Sequence, residues 1–245
     1  MSELNEVSSK SELEKMKSGE PFFYFDAELS TFYARAQELL RVINSTPIED
    51  DSQRQHLLKS LFGHLGSGAR VKPPFQCDYG FNIRIGSESV LNYGCVILDS
   101  GVVRIGDHVR IGPGVHIYTA SHSLDPVLRR ANRVVPNGVT IGDDVWIAGS
   151  AIISPGVTIG EGAIIGAGRV VTKTVPPRVL AAGNPCSVIR NLVNAEEFDV
   201  VPSNASISPS EIRRGIHDLE HPSGASAILS RREHDPMEGQ GVPHG

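Results

Sequence analysis

The sequence predicts a mostly-β protein: a parallel β-helix over residues 66–192, preceded by an α-helical segment over 11–65 and followed by a flexible tail over 193–245. Three observations carry this reading. Aliphatic residues recur every six positions through the middle of the chain. Near its start, apolar residues recur at intervals of three and four. Both patterns vanish towards its end.

The helical segment comes first. Between Ala27 and Ile43 the residues Leu29, Phe32, Tyr33, Ala36, Leu39, Leu40 and Ile43 recur as the core-facing stripe of an amphipathic helix does. Pro47 stops that helix, because a proline cannot donate to the preceding turn. The acidic run Glu49, Asp50 and Asp51 suits the positive first turn of a second helix, which carries Leu57, Leu58, Leu61 and Phe62 to an end near Gly63.

The middle zone carries the strongest signal. Ile141, Ile147, Ile153, Ile159, Ile165 and Val171 follow one another at six-residue steps. Four residues after each comes a second inward position: Val145, Ala151, Val157, Ala163, Arg169 and Val175. The same phase appears earlier at Ile105, Ile111 and Ile117, with Val109 and Val115, and more weakly at Ile85, Leu91 and Ile97. A period of six fits neither an α-helix nor an alternating strand. It fits short strands meeting at three corners, so that about three hexapeptides close one triangular coil and aliphatic stacks fill the interior. Arg169 breaks the small-residue rule and points to a distorted or charged last coil.

One interruption divides this zone. Residues 118–138 lose the pattern, and Ile117 and Ile141 are 24 residues apart, a multiple of six, so the coil resumes in register. A polar, proline-containing excursion from a regular solenoid is where function usually sits. The tail is rich in Ser, Pro, Gly and charge, and only 209–220 could form a short helix.

Composition narrows the function classes. The chain of 245 residues is 40% hydrophobic and 21% charged, with a formal net charge of −5 and no basic stripe, which argues against nucleic-acid binding. Cys77, Cys95 and Cys186 are few and far apart, as buried reduced thiols are and a disulfide framework or zinc site is not. No run approaches the ~20 apolar residues of a membrane span. The first twenty residues are polar and acidic, and the expected setting is cytoplasmic. The two Asn-X-Ser/Thr triplets at Asn44 and Asn204 are read as chance.

Several stretches together resemble the hexapeptide-repeat acetyltransferases, in particular the maltose and galactoside O-acetyltransferases and the nodulation acetyltransferases. They include Pro73-Pro74-Phe75-Gln76-Cys77-Asp78-Tyr79-Gly80 and Tyr118-Thr119-Ala120-Ser121-His122-Ser123-Leu124-Asp125-Pro126. Val139-Thr140-Ile141-Gly142-Asp143-Asp144-Val145-Trp146-Ile147 and Ala182-Gly183-Asn184-Pro185 continue the likeness, which spans about residues 10–192. It implies that the β-helix is left-handed and that the chain moves an acetyl group from acetyl-CoA to a sugar hydroxyl as a homotrimer, with active sites between subunits.

A hydroxyl is a poor nucleophile at neutral pH and needs a base as it attacks a thioester. His122 matches the family's catalytic histidine and lies in the excursion. Asn92 matches the asparagine whose amide N–H faces the reacting carbonyl. Asp78, Asp99 and Ser100 match the region that holds acceptor hydroxyls, Ser100 standing at the galactoside-type contact and Asp99 one place before it. Tyr24 stands where the galactoside enzyme offers a carboxylate. The resemblance places acetyl-CoA along Asn92, Trp146, Gly149, Ala167, Thr172, Lys173 and Arg190. Ser187 replaces an arginine of the galactoside enzyme, which leaves the coenzyme phosphates to Lys173 and Arg190.

Two other readings compete. A β-helix can serve as a non-catalytic scaffold, which would have eroded the residues just named. It can also carry zinc on three convergent histidines, but His108, His116 and His122 are eight and six apart and fall on different faces of a coil. No metal is expected.

Overall fold

The computed structural model describes residues 10–47 and 49–192; the tail expected over 193–245, with its candidate helix at 209–220, lies outside them. Among the described residues three helices come first: α1 (Glu12–Ser18), α2 (Ala27–Ser45) and α3 (Asp51–Leu61), with a short strand at Phe22–Phe23 between the first two. Seven residues are too few to display a helical period, so α1 is set by its ends. Ser11 and Glu14 form a reciprocal capping box, and Gly19 closes the helix in the left-handed conformation at φ +81°. Asp26 caps α2 by accepting from the N–H groups of Glu28 and Leu29 at 2.9 and 3.1 Å. That helix buries Leu29, Ala36, Leu40 and Ile43, the stripe its periodicity marks, and ends just before Pro47.

From His64 onward the chain winds into a parallel β-helix whose strands stack on three faces. Face A holds His64–Leu65, Ile83–Ile85, Val103–Ile105, Val139–Ile141 and Thr158–Ile159. Face B holds Arg70–Val71, Val90–Leu91, Arg110–Ile111, Trp146–Ile147, Ile164–Ile165 and Val179–Ala182. Face C holds Phe75–Cys77, Cys95–Leu98, His116–Tyr118, Ile152–Ile153 and Val170–Val171. Each six-residue step therefore moves an aliphatic side chain from one face to the next. Ile141, Ile147, Ile153, Ile159, Ile165 and Val171 are all 1% exposed or less, and each contributes roughly 1.5–3 kcal/mol by leaving water. The second inward set is buried too, apart from Arg169.

Arg169 is half-buried in the last coil. Among the described residues no full coil follows to pair with Val170–Val171. Instead the segment after Gly183 closes over it: Val170 N–H donates to Asn184 Oδ1 at 2.8 Å, and Cys186 N–H donates to the Val170 carbonyl at 3.0 Å. Ser187–Asn191 then folds back antiparallel on Val179–Ala182. A solenoid end needs a cap of this kind, because its final strands otherwise present unpaired backbone. All three cysteines are free, Cys77 and Cys95 being buried and Cys186 half-buried.

The coils are not equal in length. Ile141 pairs with Ile159, eighteen residues on, whereas Ile85 pairs with Ile105, twenty residues on. The two extra residues fall at the corner between faces C and A. They lie in Asp78–Asn82 of one coil and Asp99–Val102 of the next. In the third coil the same corner opens into the excursion. This arm is a distorted hairpin: Ala120–Ser121 pairs antiparallel with Arg133–Pro136, and a short helix, α4 (Pro126–Arg129), caps its tip. The strand Phe22–Phe23 adds to its outer edge, with Phe22 opposite Val134. Met16, Phe22, Leu29, Tyr79 and Val134 form a second apolar core beneath it, separate from the solenoid interior.

Candidate active site

The widened C–A corner is pinned by buried polar groups. Thr119, fully buried at the foot of the arm, donates its hydroxyl to the Leu98 carbonyl at 2.6 Å and accepts the Gly101 N–H at 2.7 Å. Asp99 is likewise fully buried, and its Oδ1 accepts the N–H groups of Asp78 and Tyr79 at 3.0 and 2.8 Å. On the other side of the same residue, Gln37 of α2 donates its side-chain amide to the carbonyls of Cys77 and Asp78 at 3.0 and 3.3 Å. The Asp78 backbone is thus held at both ends while its side chain lines a cleft.

That cleft, of about 310 Å³, is built from three parts of the chain. The N-terminal segment supplies Tyr24 and Phe25, the corner supplies Asp78, Leu98 and Ser100, and the arm supplies Ala120, His122 and Val134. Of the residues expected at the acceptor site, Asp78, Ser100 and His122 come together here. Asp99 does not line the cleft. Ser100 stands in the cleft wall, while the Asp99 carboxylate is turned to the Asp78 and Tyr79 N–H groups and acts as a clamp.

His122 lies at the end of the first arm strand and is exposed. Its Nδ1 lies 3.4 Å from the Arg133 carbonyl oxygen across the hairpin. A carbonyl can only accept, so this contact calls for the tautomer with a proton on Nδ1 and leaves the Nε2 lone pair available. Burial raises the Asp78 carboxyl to about 6. Burial also dominates at Asp99, where the Tyr79 N–H opposes it and the Asp78 charge adds to it, for a value of about 7. Burial, then the charge of Asp78, raises the Tyr24 phenol, so Tyr24 faces the cleft as a neutral hydroxyl.

The residues expected along acetyl-CoA lie elsewhere on the triangle. Asn92, Gly149 and Ala167 stack at the B–C corner, and Trp146, 50% exposed, stands beside them on face B. Asn92 Oδ1 accepts the Tyr93 N–H at 3.0 Å, which leaves its amide N–H groups for a ligand. This corner is tightly stacked: a Cβ on Gly112 would come within 2.5 Å of the Gly149 nitrogen. Its outer side is open at Gly168, where a Cβ would meet nothing within 4 Å. A narrow edge of small residues with an exposed indole fits a long, thin ligand arm. Thr172 and Lys173 are exposed at the C–A corner, and Arg190 is exposed on the closing antiparallel strand. Within one chain, therefore, His122 and Asn92 do not converge.

His108 lies at the A–B corner with φ +56°, and His116 Nδ1 contacts the Tyr118 hydroxyl at 2.6 Å on face C. With His122 on the arm, the three histidines point to three places. Among the described residues no group of three His, Cys, Asp or Glu is arranged to hold a metal ion. No helix among them is long and apolar enough to cross a membrane.

The aromatic side of the cleft, Tyr24 and Phe25 with Tyr33 and Tyr79 beyond, was not marked by the repeat. A signal was nonetheless present in the step from Ile97 to Ile105, eight residues where six is the rule.

Two family profiles match the chain, a maltose acetyltransferase hexapeptide capping motif over residues 15–66 and a bacterial transferase hexapeptide (six repeats) over 138–173. Nodulation protein L of Rhizobium meliloti is 46% identical over 181 residues, covering 74% of this chain and 98% of the relative. A hexapeptide-repeat acetyltransferase of Vibrio cholerae, solved with acetyl coenzyme A, is 43% identical with a TM-score of 0.71, covering 76% of this chain and 100% of that one. A maltose O-acetyltransferase of Clostridium difficile is 42% identical with a TM-score of 0.74, covering 75% and 98%.

Proposed function

The chain belongs to the hexapeptide-repeat acetyltransferases of the maltose and galactoside O-acetyltransferase family and is an acetyl-CoA-dependent acetyltransferase, and from that premise we propose that it acetylates a hydroxyl of a sugar with His122 as general base. The observation that carries this reading is the cleft in which His122 meets Asp78 and Ser100 with its Nδ1 turned to a backbone carbonyl.

In the proposed reaction the acceptor hydroxyl is held by Asp78 and Ser100, which offer hydrogen-bond acceptors and one donor. His122 Nε2 takes the hydroxyl proton as the oxygen attacks the thioester carbonyl. The C–O bond forms, and negative charge gathers on the carbonyl oxygen, where the free amide N–H of Asn92 stabilises it. Collapse breaks the C–S bond, and His122 returns the proton to the departing sulfur. The products are the acetyl ester and coenzyme A. The transfer is direct: both buried cysteines carry thiols raised by burial, Cys95 to about 11, which makes them poor nucleophiles.

His122 and Asn92 occupy different corners of one triangular section, so a complete site takes the C–A corner of one subunit and the B–C corner of another. That requirement supports a homotrimer with three equivalent sites. The coenzyme then lies along Trp146, Gly149 and Ala167, with Thr172, Lys173 and Arg190 towards its phosphates. A cytoplasmic setting suits three free thiols.

Replacing His122 with Ala tests the base. Acetyl transfer to a sugar panel should fall by roughly 10²–10⁴ with assembly and melting temperature unchanged. Undiminished transfer by this variant removes His122 from the mechanism.

A further inference from the structure

We infer that Arg169, the one residue that breaks the small-residue rule of the last coils, takes the pyrophosphate of acetyl-CoA. This rests on the placement of the coenzyme along the B–C corner proposed above, and adds to it a residue and the phosphate that residue holds.

The other second inward positions from Val145 to Val175 carry Val or Ala, all of them buried. Packing gives no reason for a guanidinium among them. Arg169 is half-buried, its Nε is sealed from solvent, and its side chain makes no hydrogen bond and no ion pair among the described residues. Arg54 also has a buried Nε without a partner, but its Nη2 donates to the Thr46 and Pro47 carbonyls at 2.9 and 2.6 Å and so ties down the end of α2. Arg169 has no such anchor. A guanidinium drawn from water without acceptors is costly, and a bound anion offsets that cost.

The side chain lies at the top of the B–C corner. A Cβ on Gly166 would come within 3.5 Å of Arg169 Nε and 3.4 Å of Ala182 Cβ, which sets the guanidinium stem between the corner and the closing segment. Its charge reaches Cys186 of that segment, where burial raises the thiol and Arg169 opposes the rise. The corner itself is a continuous ladder. Gly114 N–H donates to the Tyr93 carbonyl at 2.9 Å, Ser150 N–H to the Pro113 carbonyl at 2.8 Å, and Gly168 N–H to the Gly149 carbonyl at 2.9 Å. From Asn92 to Ala167 is therefore three coil steps of ~4.8 Å, about 14 Å in all. An extended pantetheine arm has about that reach from its sulfur to its first phosphorus. With the thioester at Asn92, the pyrophosphate comes level with the exposed Ala167 and Gly168, directly before Arg169. The planar fork of N–H donors suits two neighbouring phosphate oxygens, leaving Lys173 and Arg190 for the ribose phosphate.

The test uses the full chain and four probes: pantetheine, 4′-phosphopantetheine, dephospho-coenzyme A and coenzyme A. Affinity is measured by calorimetry in wild type, Arg169→Ala and Arg169→Lys, and acetyl transfer by release of coenzyme A. Alanine is a residue the repeat itself uses at this position, so Arg169→Ala should keep the fold and its melting temperature. Wild type should bind 4′-phosphopantetheine about tenfold more tightly than pantetheine. Arg169→Ala should remove that gain and leave pantetheine unchanged, and Arg169→Lys should restore part of it. The further gain from dephospho-coenzyme A to coenzyme A should be the same in all three proteins. The KM for acetyl-CoA should rise about tenfold in Arg169→Ala with kcat unchanged. An equal loss for pantetheine and 4′-phosphopantetheine makes Arg169 a packing residue and overturns the proposal. So does a loss confined to the ribose phosphate. Equal binding of pantetheine and 4′-phosphopantetheine by wild type overturns it whatever the variants do. Ala167→Leu, which fills the open edge, tests the placement separately: unchanged pantetheine affinity there removes the coenzyme from the corner. Phosphate preference without transfer to any sugar leaves Arg169 standing and sinks the reaction proposed above.

Discussion

The coils on either side of the arm obey different rules. Above it, from Ile141 to Val171, every step is six residues and every inward aliphatic is buried among its equivalents. Below it, the B–C corner keeps the same step, but the C–A corner is two residues longer in each of two coils and opens into the arm in the third. In the regular part a side chain is constrained by volume, since any aliphatic of similar size fills the stack. At the widened corner each residue has its own partner. Thr119, Asp99, Asn82 and Gln37 hold particular backbone groups, and no neighbour repeats what they do. Stability is thus distributed along the solenoid, whereas positioning of the site is concentrated in a few polar residues.

Substitutions can break this contrast. Ile153→Ala in the regular stack should cost about 2–5 kcal/mol in chemical unfolding by leaving a cavity, with kcat unchanged below the transition. Loss of kcat out of proportion to stability would show that the stack steers the site. Asp99→Ala should cost roughly 2 kcal/mol, because two buried N–H groups lose their acceptor, and should raise the acceptor KM by freeing Asp78. An unchanged KM would mean that Asp78 is positioned without its clamp.

The pH dependence sharpens the comparison. Asp99 titrates near 7 in the fold against an ordinary value near 4, so between these values the folded state holds a proton that the unfolded state has lost. Its contribution to stability therefore falls as pH rises from about 4 to about 7. Asp99→Asn, which keeps an acceptor and carries no charge, should make the fall of melting temperature over that window shallower, leaving the part below about pH 6 that Asp78 contributes. A slope identical to wild type would assign the titration elsewhere. The smallest expected effect is at Glu12, whose carboxylate accepts the Phe23 N–H at 2.6 Å and pairs with Lys15. Glu12→Gln should cost about 1 kcal/mol and loosen the edge strand on the arm, read as faster amide exchange at Phe23.

The solenoid was legible because its rule is local: six residues determine which face comes next, and a window of thirty exposes the pattern. Residue-type chemistry together with family likeness led to Asp78, Ser100 and His122. Asp99 and Ser100 could not be separated from sequence, since adjacent positions differ only in which way the backbone turns, and that depends on two extra residues accommodated at the corner. The aromatic side of the cleft was hidden for another reason. Tyr24 follows the strand that pairs Phe22 with Val134, more than a hundred positions away, and Tyr33 of α2 packs on Tyr79 at the corner, so no short window contains these partners. Even α1 could have been inferred from Ser11, Glu14 and Gly19, whose spacing marks a start and a stop.

The strand Phe22–Phe23 joins an arm that belongs to a different stretch of the chain, and this splits the molecule by task. On the proposed reaction, the spiral is a fixed chassis and one of its edges would take the carrier of the acetyl group. Residues 10–40, joined to the arm through Phe22–Phe23, would on the same reading act as an interchangeable jaw that decides what is gripped. Grafting that opening segment from one relative onto the spiral of another should change which molecule is modified and leave the donor untouched.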